Sequence, residues 1–431
     1  MMRKKYLVIL GVCLSLLLLG GCGKKEKTPE NWGTAPDYSV PMLTSTSIRY
    51  LSVNVGATED QVHLVWYSPS EEAGQVLWTT AKDEDFENPE VYLASVEPSQ
   101  ADPGYYVNKV VVEGLKSNTK YLYQVGNGEA MSPAYSYKTT KFSDTVRFTA
   151  VGDTQLGKPA EDLDWQKKNW HLVLNKIKYH FPDSSFLISL GDQVNHFDSG
   201  GEYEAYLNQG VLYSMPLAPV KGNHDVGGPQ YSEHFMLPNQ SSLGNCDDGG
   251  DGDYWFTRGK ALFIVLNTMN KEKWNEHGAF IASAVEANPD ARWRIVFSHY
   301  SPYNGYEDYL ENAEAIRPYF LSFTDQYDID LVMCGHDHAY VRTYFIKKDG
   351  SYEEYESPAV DPEGTMYLTL SSSSGSLYRR PVSQNEAAVS SKRHAPEVTD
   401  VEITPKSLKV VTYNAETWEV TDEFEIRKKR T

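Results

Sequence analysis

Five short apolar runs in this chain end abruptly in side chains that ligate metal ions or move protons. In order they are VGDTQ with Asp153, SLGDQVN with Asp192, PVKGNHD with Asn223, His224 and Asp225, VFSHYSPY with His299, and MCGHDHAY with His336 and His338. Carboxylate, amide and imidazole donors suit hard or borderline divalent cations. Two imidazoles two residues apart on one extended segment can serve two neighbouring ions, and ions about 3.5 to 4 Å apart can clamp an in-line displacement at phosphorus. A lone Gly-Asp is ordinarily a turn and a lone Asn-His-Asp a polar loop. Five such ends in succession, each behind an apolar run, point to one metal-dependent site.

Side chains so far apart in sequence converge only if the runs are strands of common sheets. Residues 146–151 read as a strand, 164–180 as a helix with Trp165, Leu172, Val173 and Ile177 at helical spacing, and 185–190 as a strand again. That βαβ unit predicts a parallel sheet, and ligands of open α/β sheets gather beyond the carboxyl ends of the strands. Gly152, Gly191, Gly222 and Gly335 each precede a ligand and are expected to permit the turn out of the sheet. Residues 41–141 follow another grammar. Val62, Leu64 and Trp66 alternate with His63 and Val65, and Tyr121, Tyr123 and Val125 alternate with polar neighbours, which predicts short half-buried strands. His63 is expected to be structural, and Cys334 a buried strand thiol.

The five ends in this order resemble the calcineurin-like metallophosphoesterases, and with the preceding β-segment the chain is similar to the purple acid phosphatase branch. LKSNTKYLY, residues 115–123, resembles the tyrosine corner of immunoglobulin-like sandwiches, and the segment is similar to a fibronectin type III domain. The implied fold is an N-terminal all-β immunoglobulin/fibronectin III-like sandwich at 41–141, then an α/β metallophosphoesterase domain at 142–428 built as a four-layer α/β/β/α sandwich. The resemblance implies two divalent metal ions, Mn, Zn or Fe. It gives Asp153 and His338 to the first, Asn223, His299 and His336 to the second, and Asp192 to both as the bridge. It makes His224 the group that meets the phosphoryl oxygens or protonates the leaving group, with Asp225 as its partner. Two departures stand out. The branch has an iron-binding Tyr three residues beyond the bridging Asp, where this chain has Asn195, and many relatives have a His ligand where this chain has Gln155. Gln155, Asn195, His196 or water is left to complete the first metal. Tyr300, Tyr303, Asn304, Tyr306, Arg379 and Arg380 are candidates for the substrate rim, whereas Tyr340 and Arg342 are expected to be structural.

Arg3, Lys4 and Lys5 precede a 14-residue mostly apolar run that ends in LGGC at Cys22. The run is short for a bilayer about 30 Å thick and reads as a signal peptide. Its end resembles the lipobox of bacterial lipoproteins, implying cleavage before Cys22, a lipid on its sulfur, and an exported protein anchored to the cell membrane. Residues 23–40 read as a tether. Only Cys246 and Cys334 remain beyond Cys22, too few for a disulfide framework. The 431 residues suggest two or three domains. With 40 Lys+Arg against 59 Asp+Glu and a net charge of -19, the chain lacks the basic surface of a duplex nucleic-acid binder. GNCDDGGDGDYW, residues 244–255, lacks EF-hand spacing and is expected to be a flexible acidic loop. The expected activity is hydrolysis of phosphate monoesters. A phosphodiesterase or nucleotidase on the same ligands is the first alternative, and a non-enzymatic surface binding lipoprotein the second. Protein partners are not legible.

Overall fold

The computed structural model describes residues 37–38, 43, 47–158, 162–245, 251–303, 305–391 and 394–429, so the signal segment, Cys22, most of the tether, Cys246 and Asn304 lie outside the described residues. No helix among the described residues is long and apolar enough to cross a membrane.

Two large sheets face one another. In the first, strands Val146–Val151, Leu187–Ser189 and Leu217–Pro219 run parallel, and Glu397–Ile403, Ser407–Asn414 and Val420–Arg427 extend it antiparallel from Val146–Val151. In the second, Ala261–Leu266, Trp293–Ser298, Leu331–Cys334 and Thr365–Thr369 run parallel, with Tyr254–Arg258 and Tyr340–Ile346 antiparallel on either side. A seam of phenylalanines joins the sheets: Phe148 stacks on Phe186 at 4.9 Å and meets Phe263 and Phe297 edge-on at 5.4 and 5.8 Å. Burying one such ring is worth about 1.5–3 kcal/mol.

Helices cover the outer faces and complete four layers. Leu163–His180 buries Trp170, Val173, Leu174 and Ile177 against the first sheet, with Asp164 in its first turn and Lys178 and His180 in its last, as the helix dipole favours. Glu276–Ala287 and Leu310–Gln326 bury Phe280, Ile281, Ile316 and Phe320 against the second.

The N-terminal sandwich packs Leu51, Trp66, Val76, Trp78 and Tyr123 between its own two sheets. Its tyrosine corner is formed, the Lys116 N–H donating to the Tyr121 hydroxyl at 2.8 Å. The expectation of half-buried strands fails for Val62–Ser68, which is buried on both faces. Its outer face, Val65 and Tyr67, is covered by Met236 and by His234 of the short helix Gln230–His234 in the α/β half. His63 is structural, its Nδ1 bonded to the Met236 carbonyl at 3.0 Å. Strand Arg49–Val55 pairs in parallel with Leu217–Pro219, so one sheet of the sandwich continues the first sheet of the α/β half as a single eleven-stranded surface.

Candidate metal centre

Every sequence-predicted ligand lies just past the carboxyl end of a strand, and their donors meet. One ligand atom each from Asp153, Asp192 and His338 lie within 4.8 Å of one another, and so do those of Asp192, His299 and His336. Asp192 belongs to both groups. His299 Nε2 is 3.4 Å from Asp192 Oδ1 and 3.1 Å from Asn223 Oδ1, and His338 Nε2 is 3.8 Å from Asp153 Oδ1.

Backbone carbonyls aim the imidazoles. His299 Nδ1 donates to the Leu190 carbonyl at 2.8 Å and His338 Nδ1 to the Leu377 carbonyl at 3.1 Å, which leaves each Nε2 for a ligand. His336 Nε2 is buried with no hydrogen-bond partner, an arrangement costly in a folded interior unless something else occupies it. Burial pushes the Asp153 carboxyl well above the usual range, and the neighbouring Asp192 adds to this. Burial opposes ionisation of Asp192 too, yet the charge and hydrogen bond of His299 hold its carboxyl below the usual range. His299 is pushed up to about 10 against its own burial by Asp192 and Asp153, whereas burial lowers His338 to about 3. The buried acids thus concentrate negative charge that favours a cation at this point. An orphaned imidazole nitrogen, two convergent donor groups and a shared carboxylate together fit a pair of divalent metal ions.

The backbone here is strained. Asp153, Gln155, Asp192, His336 and His338 have φ of 31°, 37°, 49°, 73° and 50°. The left-handed turns therefore fall mainly on the ligands themselves, not on the preceding glycines as the sequence suggested; of the four glycines only Gly191, at φ 98°, is left-handed. Gly222 serves close approach instead: a Cβ there would meet the Asp192 amide nitrogen and Oδ1 at 2.2 Å.

Asp225 does not partner His224. Its buried carboxylate accepts the N–H groups of Asp192 at 2.8 Å, Gln193 at 3.1 Å and Gly222 at 2.8 Å, tying the two ligand loops together. His224 is held instead by its N–H to Asp192 Oδ1 and by Nδ1 to the Asn195 carbonyl, both 2.8 Å. Among the extra candidates, His196 bonds Glu202 at 2.7 Å with its side chain 53% exposed, so it is turned from the ligand cluster. Gln155 Oε1 and Asn195 Oδ1 are both buried without a partner, and the Leu156–Val194 bridge sets their segments side by side.

The rim candidates divide. Tyr300 lies edge-on to His336 at 4.6 Å, whereas Tyr303 is 1% exposed, packed on Tyr367 and under Arg317, and belongs to the core. Arg379 sits beside the site and Arg380 is exposed. Tyr340 and Arg342 both bond Asp422 and are structural. Cys334 is a buried strand thiol. The described part of the acidic loop is anchored rather than flexible, with buried Asp251 paired to Lys221 at 2.9 Å and buried Asp253 to His277 at 2.8 Å.

Three contributors escaped the sequence reading. Tyr309 stacks on His336 at 4.1 Å. Asp337 accepts the Gly305 N–H at 2.5 Å, fastening the segment that follows His299 to the His-Asp-His turn. In the serine run, Ser372 Oγ donates to the Asp153 carbonyl at 2.9 Å, Ser374 Oγ to that of Thr154 at 2.5 Å and Ser371 Oγ to that of His338 at 3.2 Å. Ser373 Oγ meets the Thr154 hydroxyl at 3.1 Å, and all four serines, Ser371 to Ser374, are buried, but nothing in a run of serines distinguishes it from a linker. A cavity of about 1140 Å³ opens at the other end of the second sheet, where Asp330 precedes the strand that His336 follows, and it holds none of the ligands.

Comparison with known proteins agrees with this geometry. Residues 146–340 match the calcineurin-like phosphoesterase family, and residues 49–139 match the purple acid phosphatase N-terminal domain. Purple acid phosphatase 1 of Ipomoea batatas is 23% identical over 354 residues, covering 72% of this chain and 70% of the relative. The phosphoenolpyruvate phosphatase of Allium cepa is 25% identical over 287 residues, 62% of this chain and 56% of that relative. In fold, a purple acid phosphatase from yellow lupin (Lupinus luteus) seeds superposes with TM-score 0.71 at 17% identity, covering 89% of this chain and 74% of its own. PhoD superposes with TM-score 0.60 at 15% identity, covering 86% and 91%.

Proposed function

We propose that this chain, which carries a calcineurin-like metallophosphoesterase domain behind a purple acid phosphatase N-terminal domain, hydrolyses phosphate monoesters outside the cytoplasm. The observation that carries the reading is the pair of donor groups sharing Asp192. Asp153, Asp192 and His338 would hold one cation, and Asp192, Asn223, His299 and His336 the other. Two cations bound there would neutralise phosphoryl oxygens and lower the pKa of water from about 15.7 towards 7.

The chain's own residues supply orientation and a proton. Because a carbonyl only accepts, the bond to Asn195 keeps the proton of His224 on Nδ1 and leaves Nε2 for the substrate. In its imidazolium form that nitrogen donates to a phosphoryl oxygen or to the departing alkoxide. Tyr300 and Tyr309 wall the His336 side and narrow the approach. The buried, unpartnered oxygens of Gln155 and Asn195 would offer a first cation neutral donors in place of a Tyr phenolate, which would favour divalent ions over a Tyr-bound ferric ion. The signal-peptide sequence, with Cys22 behind Leu-Gly-Gly, supports export and a lipid anchor on the membrane.

Metal analysis of wild type and Asp192→Asn, followed by a panel of monoesters, diesters and nucleotides, tests the reading. Wild type should carry two divalent ions, show no visible phenolate-to-iron band, and turn over monoesters fastest. Asp192→Asn should lose hydrolysis and metal together, since a neutral amide does not bridge two cations as a carboxylate does. Full metal with wild-type turnover in that variant would refute the shared site, and faster diester turnover in wild type would refute the monoester assignment.

A further inference from the structure

Arg379 is the cation nearest in sequence beyond the serine run that grips the ligands, and its position is fixed from two sides. Its backbone N–H donates to the His338 carbonyl at 2.9 Å, pinning the main chain to a ligand. Its guanidinium lies over the rings of Tyr306 at 4.1 Å and Tyr309 at 4.7 Å. Tyr309 in turn stacks on His336 at 4.1 Å. The guanidinium is thus within about 9 Å of the His336 ring, the 4.7 and 4.1 Å contacts laid end to end. Among the described residues no carboxylate pairs with it within 4.0 Å; the Tyr306 hydroxyl is hydrogen-bonded by both the Arg379 guanidinium and Asp308. In a chain with 59 acidic residues against 40 basic ones, a half-buried arginine beside the site without an acidic partner is conspicuous.

A guanidinium has five N–H donors, so one bonded to the Tyr306 hydroxyl and seated on aromatic faces has N–H groups to spare and has already lost much of its rotamer freedom, and an incoming anion gains both charge and geometry. The phosphoryl group itself is provided for by the convergent donor sets and His224. From this arrangement we infer that Arg379, on the Tyr306–Tyr309 platform, forms a subsite for a second anionic group carried by the alcohol half of the substrate. The inference rests on the phosphatase reading and narrows its substrate class to phosphate esters of carboxylic acids or of further phosphates. A carboxylate two or three bonds from the ester oxygen is the second anionic group such a subsite would take.

Glycerol 3-phosphate and 3-phosphoglycerate make a matched test, since they differ chiefly in the charge of the far carbon. Metal-loaded wild type should prefer 3-phosphoglycerate in kcat/KM. Arg379→Ala should lower kcat/KM for 3-phosphoglycerate by about 10- to 100-fold, the range of a lost charged hydrogen bond, while glycerol 3-phosphate changes less than about threefold and both metals stay bound. Equal losses for the two esters would put Arg379 on the reacting phosphoryl, and no loss would put it outside the binding site; either overturns the subsite. Wild type that hydrolyses neither ester would overturn the phosphatase reading instead. Calorimetric titration of the metal-loaded protein with the same compounds then decides the subsite alone: a carboxylate preference that disappears in Arg379→Ala upholds it, and equal affinities in wild type overturn it.

Discussion

At His224 one ring nitrogen is spoken for and the other is not. Nδ1 meets the Asn195 carbonyl, and the residue's own N–H holds Asp192 Oδ1, so the imidazole is braced by the loop of the bridging carboxylate without entering the ligand set. Asn223–Asp225 is a single turn of 3-10 helix, in which successive side chains point about a third of a turn apart, so Asn223 can face His299 while the His224 ring turns to the Asn195 carbonyl. His224→Ala is therefore expected to keep both metals and lose about 10²- to 10⁴-fold in rate, the usual range for a positioned acid-base group. The loss should be larger for an alkyl phosphate than for p-nitrophenyl phosphate, because p-nitrophenolate leaves with little need of a proton. Parallel kinetics on the two esters with metal analysis checks this; equal losses would assign the ring to phosphate binding, and lost metal would make it a ligand.

At the scale of the element, the strand ends do more than carry ligands. Left-handed backbone at a residue other than glycine costs of order 1–3 kcal/mol and persists only where the surroundings enforce it. Here the enforcement is visible: the Asp225 carboxylate gathers three N–H groups, His336 N–H donates to both Asp153 carboxylate oxygens at 2.9 Å, and serine hydroxyls hold the carbonyls behind Asp153 and His338. Gly222 is a tight point at the bridge, since a methyl group there collides with the Asp192 amide and carboxylate. Gly222→Ala should displace the bridge, reduce bound metal below two ions and lower kcat/KM by at least about 10²-fold, the cost of roughly 1 Å of misplacement, while circular dichroism remains that of a folded protein. Unchanged metal content would show that the loop relaxes without moving Asp192.

At the scale of the whole molecule, the two halves are bound by a shared sheet and by an aromatic nest. His234 lies 4.8, 5.1 and 4.2 Å, ring to ring, from Tyr50 and Tyr67 of the sandwich and Tyr203 of the catalytic half, with Lys109 acting on it through space. Beside it the Glu233 carboxylate takes bonds from Tyr67 at 3.0 Å, Ser99 at 2.7 Å and the Gln100 N–H at 2.6 Å. Burial, reinforced by Lys109, lowers His234 to about 3, so the folded protein holds it neutral, whereas unfolded it titrates near 6.5. The unfolded chain thus binds the extra proton between those values. The stability this histidine allows is complete above about pH 6.5 and is lost as pH falls, by about 2 kcal/mol at pH 5. His234→Phe keeps an aromatic ring and removes the proton site, so its denaturation midpoint should fall less between pH 7 and pH 5 than that of wild type. Parallel pH profiles from urea titrations would show that acid acts elsewhere.

How much of this was legible in the sequence follows from the range of the interactions. Asp153, Asp192, Asn223, His299, His336 and His338 announced themselves because each sits where an apolar run stops, and the period of a strand and the chemistry of a donor are both local. The tyrosine corner at Tyr121 was legible for the same reason, its bond spanning five residues. What the sequence left open depended on contacts between distant segments. Tyr309 meets His336, and Asp337 fastens Gly305, across segments far apart in sequence, and Tyr303, which reads like its neighbours, turns into the core. Asp225 stands next to His224 in the chain yet bonds the loop of Asp192, more than thirty residues away. Strand Val62–Ser68 alternates as a one-sided strand should, and it is buried on both faces because Gln230–His234 and Met236 close over it. Donor type and strand period belong to the residue; which carbonyl, ring or neighbouring strand meets it is settled when the sheets pack.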